Sequence, residues 1–146
     1  MDDFFATREE LVTAFHEAMK IDVGSKPRQS LIQLREQLLL EECNEVCQEL
    51  NKMEMTVVQG KPPSKQDWAD LLKELCDLQY VLSGTIISFK ELNDVDFDEA
   101  FELVHYSNMS KLDDEGNPVY REDGKVTKGP NYTPPDLTEV LDYPKR

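Results

Sequence analysis

Between Leu38 and Met53 the chain reads LLLEECNEVCQELNKM, and its glutamates Glu41, Glu42 and Glu45 restrict what this segment can become. Leu31, Leu34 and Leu38 precede the cluster and Val46 and Leu50 follow it at helical spacing, so the segment reads as helix. On a helix Glu41 and Glu45 share a face, and Glu42 lies beside them. Carboxylates so placed repel one another, and because they interrupt an apolar pattern, part of the cluster must border a core. A second acidic pair, Glu74 and Asp77, stands three residues apart in the helical stretch KELCDLQYVLSGT. With Trp68 as the zero of a helical wheel, Leu71, Leu75, Leu78, Leu82, Ile86 and Phe89 fall on one arc, with Glu74 at its border and Asp77 further round. If the two helices run antiparallel or cross closely, the five carboxylates can converge. That much negative charge in a low-dielectric groove requires compensation, and a divalent cation supplies it. The pattern predicts a Mg²⁺ or Mn²⁺ site.

The rest of the chain reads as a small all-α protein. Its 146 residues are one domain's length, 1–146, with 39% apolar and 32% charged residues, a folded composition. A net charge of −14 repels nucleic-acid backbone and anionic membrane, so neither is expected as a partner. No stretch approaches the roughly 20 apolar residues of a membrane span, and MDDFFATREE lacks the basic and apolar regions of a signal peptide. Cys43, Cys47 and Cys76 read as reduced, mostly buried thiols, and the expected location is the cytoplasm.

Four helices are predicted. The first covers residues 4–21, with Phe4, Leu11, Phe15, Ala18 and Met19, or Phe5, Val12 and Met19, as apolar stripes. The second begins at or just after Pro27 and ends near Met53, before a loop, TVVQGKPP. Ser64 and Asp67 form a capping box for the third, which reaches about Phe89. The fourth, capped by Asn93 or Asp94, carries Val95, Phe97, Ala100, Phe101, Val104 and Met109. Residues 113–146 form an irregular tail, packing on the bundle or on a partner subunit, with a small hairpin about Asp123–Gly124. The two long helices carry more apolar surface than a thin bundle needs, which favours a homo-oligomer.

The EExxE of Glu41, Glu42 and Glu45 followed by the ExxD of Glu74 and Asp77 resembles the signature of the all-α nucleoside triphosphate pyrophosphohydrolases. That superfamily includes the MazG proteins, the dimeric dUTPases, the dCTP pyrophosphatases and the phosphoribosyl-ATP pyrophosphohydrolases. HYSNMSK at His105–Lys111 and VYREDGKVTKGPNYTPPDL in the tail resemble small MazG-like members, so the likeness runs from about residue 28 onward.

The resemblance implies a MazG-like four-helix bundle, a dimer or a tetramer, and Mg²⁺-dependent hydrolysis of a nucleoside triphosphate between its α and β phosphates. By position, Glu42, Glu45, Glu74 and Asp77 would hold the metal, and Glu41 would take a proton from the attacking water. Asn108 and Lys111 match positions that look like substrate contacts, and Tyr132 is a candidate to stack on a base. A deoxyribonucleotide such as dUTP or dCTP is the expected substrate, with phosphoribosyl-ATP as the alternative. An acidic helical adaptor or cation-binding protein without catalysis is the rival class. For the three glutamates alone a solvated helix face would suffice; the second pair and the downstream match favour a metal. The chain has no GxxxxGK[ST] element, which excludes P-loop chemistry.

Overall fold

A computed structural model describes residues 6–142, and the expectations for Phe4 and Phe5 lie outside them. The helices are α1 (Arg8–Met19), α2 (Gln29–Val58), α3 (Lys65–Ser88), α4 (Lys90–Asn93), α5 (Phe97–Met109) and α6 (Thr138–Asp142). The all-α expectation holds, with two short helices, α4 and α6, beyond the four foreseen. None of the described helices is long and apolar enough to cross a membrane. The chain divides into two compact units between Asn93 and Asp94.

In the first unit α2 and α3 pair antiparallel across a short connection, and α1 packs on α3. Thr7 caps α1 and Glu10 answers it, so the helix begins later than residue 4; Lys20, left-handed at φ 57°, ends it. Ser64 and Asp67 make the foreseen capping box of α3. α2 continues one turn past Met53, to Val58, because Thr56, Val57 and Val58 stay helical until Gly60 turns at φ 75°. At the far end of α3 two carbonyls left without helical partners, those of Ile87 and Ser88, accept from Gly24 and Ser25 at 2.8 Å each. The α1–α2 loop is thereby stitched to α3.

Val46, Met53 and Leu71, with Leu78 against them, form the apolar core of the α2–α3 seam. The inward face of α2 runs Leu31, Arg35, Leu38, Glu42, Val46, Glu49 and Met53, in steps of three and four residues. The inward face of α3 runs Leu71, Glu74, Leu78, Val81, Thr85 and Ser88. This corrects the apolar arc drawn from sequence. Trp68, Leu75 and Leu82 lie outside and are exposed, Trp68 at 56%, while Glu74, Thr85 and Ser88 take inward places. Hydrogen bonds make the polar positions tolerable: the Ser88 hydroxyl donates to Gly84 O at 2.6 Å and the Thr85 hydroxyl to Val81 O at 2.8 Å. Cys43, Cys47 and Cys76 are exposed in the single chain, against the expectation of buried thiols: Cys43 follows the inward Glu42, Cys47 follows the inward Val46, and Cys76 lies between the exposed Leu75 and the partly exposed Asp77.

In the second unit Asp96, not Asn93 or Asp94, caps α5, accepting from the backbone of Asp98 and Glu99. Asn93 instead closes α4 against Phe89 O. The tail folds onto α5: the Ser107 hydroxyl donates to Thr133 O at 2.8 Å, and Thr133 N donates to the Ser110 hydroxyl at 2.9 Å. The foreseen hairpin exists as a single antiparallel bridge, Tyr120 to Val126, turning at Gly124 with φ 79°. Gly129 serves close approach rather than a turn, since a Cβ there would stand 2.5 Å from Lys111 O.

Candidate metal centre

Because α2 and α3 are antiparallel, the turn that carries Glu42 and Glu45 meets the turn that carries Glu74. One carboxylate oxygen from each of the three lies within 4.8 Å of the others. Opposite oxygens around an octahedral Mg²⁺ are about 4.2 Å apart, so small side-chain motions would close the trio on one cation. The Oε2 atom of Glu42 is buried and has no hydrogen-bond partner. Hard oxygen donors in a half-buried seam, one of them unsatisfied, fit a divalent cation.

Electrostatics bear the same mark. Burial, and then the charges of Glu45, Asp77 and Glu74, push the Glu42 carboxyl above its ordinary range. Glu45 is pushed up as well, chiefly by the Glu74 carboxyl close against it, whose charge adds to the effect, and then by burial. Lys73 partly offsets the cluster from the rim, with its Nζ 2.8 Å from Asp77 and 3.1 Å from Glu74. Those carboxylates raise the ammonium's own pKa, Asp77 first.

The other residues singled out in the sequence are placed as follows. Asp77 is partly exposed and tied to Lys73, next to the trio and not among it. Glu41 is exposed and accepts from the Gln37 amide at 2.8 Å, also outside the trio. In the second unit Lys111 stands two residues past the end of α5, and its Nζ donates to Asn108 Oδ1 at 2.7 Å, so these two candidates are neighbours. Tyr132 has one ring face covered by Lys128, whose Nζ is 4.4 Å from the ring centre.

Sequence reasoning passed over a buried polar group in the same seam. Arg35 is only 4% exposed and His16 only 3%. The steps of three and four residues from Leu31 through Arg35 and Leu38 to Glu42 could have found Arg35, had the stripe been followed through its charged members.

No curated protein matches this chain. The family described as phosphoribosyl-ATP pyrophosphohydrolase matches residues 12–108, a span that holds both acidic motifs and Asn108 and leaves out Lys111 and Tyr132. That family depends on divalent metal, in keeping with the glutamate trio. The chain belongs to the phosphoribosyl-ATP pyrophosphohydrolase family, within the MazG-like nucleoside triphosphate pyrophosphohydrolase superfamily, whose members are pyrophosphohydrolases of nucleotides.

Proposed function

We propose that this protein is a Mg²⁺-dependent enzyme, with Mn²⁺ as a substitute, that hydrolyses a nucleoside triphosphate between the α and β phosphates. The products are a monophosphate and pyrophosphate. The observation that carries this reading is the meeting of Glu42, Glu45 and Glu74 in the seam, with Glu42 Oε2 buried and unpartnered. These three would hold the metal, with Asp77 joining once released from Lys73. A bound divalent ion supplies charge neutralisation for the phosphates and acidifies the attacking water. Water adds to the α-phosphorus, the bond from that phosphorus to the α–β bridging oxygen breaks, and pyrophosphate leaves with the electron pair. Glu41 takes the water's proton, a role supported by its position in the EExxE motif, one residue before Glu42. For Asn108 and Lys111 a substrate-contact role is supported by their match to family positions and by their mutual hydrogen bond, and for Tyr132 by an aromatic ring able to stack on a base.

The whole chain acts as one pyrophosphohydrolase domain, in the cytoplasm, as a dimer or tetramer. Self-association is supported by the outward apolar residues Leu11, Trp68, Leu72 and Leu75 of α1 and α3. A deoxyribonucleotide such as dUTP or dCTP is the substrate favoured by the small dimeric relatives. The family match favours a second reading, phosphoribosyl-ATP. A panel of deoxyribonucleotides, ribonucleotides and phosphoribosyl-ATP, each with Mg²⁺, Mn²⁺ or EDTA, tests both, with pyrophosphate and orthophosphate assayed separately. Metal-dependent pyrophosphate from one compound is the expected result and names the substrate. Orthophosphate alone, or no product from folded protein, refutes the proposal.

A further inference from the structure

Arg35 stands in the α2–α3 seam with a full charge and, among the described residues, no carboxylate partner. Among the described residues the ion pairs belong to Arg28, Lys52, Lys73 and Arg121. Its donors go to the facing helix: Nε to the Thr85 hydroxyl at 3.1 Å and Nη2 to the backbone carbonyl of Val81 at 2.8 Å. Gly84 makes room for it, since a Cβ there would lie 2.7 Å from Nη2 and 3.0 Å from His16 Nε2. Burial pushes the guanidinium's pKa down, yet an arginine remains charged.

An unpaired buried charge is an expensive way to fill a core position that leucine or methionine could fill. What it provides is direction. Apolar packing resists separation of two helices but is nearly indifferent to small slides, whereas a planar fork with two aimed donors fixes height and rotation together. The numbering shows where that precision goes. Arg35 and Glu42 are seven residues apart on the inward face of α2, and Val81 and Glu74 are seven apart on that of α3. In an antiparallel pair these separations match, so the Arg35–Val81 rung and the Glu42–Glu74 rung are two turns apart on both helices. Any slide at the first rung is carried to the second.

We propose that Arg35 is a positioning residue of the metal centre, a clamp on α3 through Val81 and Thr85, admitted by Gly84, that sets the register in which Glu42, Glu45 and Glu74 meet. This rests on the metal reading above. Thr85 keeps a hydrogen bond to Val81 O without Arg35, so removing the guanidinium leaves no orphaned hydroxyl behind.

The test is Mn²⁺ binding to the nucleotide-free full chain, followed by electron paramagnetic resonance, beside helical content and thermal midpoint. Arg35→Met should weaken Mn²⁺ affinity by about ten-fold or more, the range found when groups orienting metal ligands are lost. Its thermal midpoint should not fall, because an apolar side chain replaces an unpaired charge. Arg35→Lys, which keeps charge without the fork, and Gly84→Ala, which keeps the fork but displaces it, should also weaken binding; they carry the test if Arg35→Met fails to fold. Wild-type affinity in any of the folded variants overturns the clamp, and in Arg35→Lys it would reduce the role to charge alone. Affinity and midpoint falling in parallel in all three would also overturn it, as general loosening. If the unaltered chain takes up no Mn²⁺, or Glu45→Gln binds as well as it does, the metal reading fails and the clamp with it.

Discussion

At the scale of single residues, the metal trio trades stability for chemistry. Glu42 is half-buried beside Glu45, Glu74 and Asp77, with its Oε2 atom enclosed and unpartnered, an arrangement that opposes folding of the metal-free chain. Glu42→Gln should therefore abolish tight Mg²⁺ binding and raise metal-free stability by about 1 kcal/mol. Calorimetric titration and urea unfolding of the same protein check the two halves. Asp22 shows the opposite economy. The Arg28 guanidinium and the Ser25 hydroxyl hold its carboxyl at about 2, from an ordinary 3.8. The folded carboxylate gives up its proton more readily than the unfolded one, so its stabilisation is complete above about pH 4 and vanishes as pH falls towards 2. Since Arg28 is half exposed, water screens the pair, and about 1 kcal/mol is at stake. The stability gap between wild type and Asp22→Asn should be present at pH 7 and closed near pH 2, as read from urea midpoints.

At the scale of elements, caps and periodicity divide what could be foreseen from what could not. Asp96→Ala should destabilise α5 by about 1 kcal/mol, while Asp94→Ala should leave it unchanged. Hydrogen exchange of the α5 amides distinguishes the two. The sequence placed that cap two or three residues early, because Asn93, Asp94 and Asp96 offer the same chemistry and only the path of the chain after α4 chooses among them. The capping box at Ser64 and Asp67 was legible, as a reciprocal pair with no nearby competitor. The two long helices followed from spacing; of the five carboxylates that spacing could bring together, Glu42, Glu45 and Glu74 meet, while Glu41 and Asp77 stand outside. The rotation of α3 did not follow from spacing, because a hydropathy arc assigns inward places to apolar residues. Here Glu74, Thr85 and Ser88 take some of them, and Arg35 takes one on α2. Arg35 points inward because Val81 and Thr85 of the facing helix receive it, partners invisible along a single stretch of chain, whereas Thr85 and Ser88 donate to carbonyls four residues back in α3 itself.

At the scale of the whole molecule, the leftover apolar surface and the charge of −14 pull against each other. Residues Leu11, Trp68, Leu72 and Leu75 invite association, while net charge opposes it. Association should therefore tighten with salt, and Trp68→Glu should shift the protein towards smaller species by sedimentation at fixed concentration. Trp68 is the one tryptophan of the chain, so its emission should move to shorter wavelength as subunits associate, if its face of α3 is the one covered.

The brevity of the connection between Val58 and Lys65 has a consequence for how the protein acquires its site. Closing so short a loop costs little chain entropy, and the seam that carries all three glutamates lies within two helices adjacent in the chain. The α2–α3 hairpin can thus assemble first, before α1 docks, and the last structure to dissolve in native-state exchange should be the turns around Val46 and Leu71. The metal ligands would then be in register from the earliest stage of folding, and a cation present at that stage would find its place already outlined.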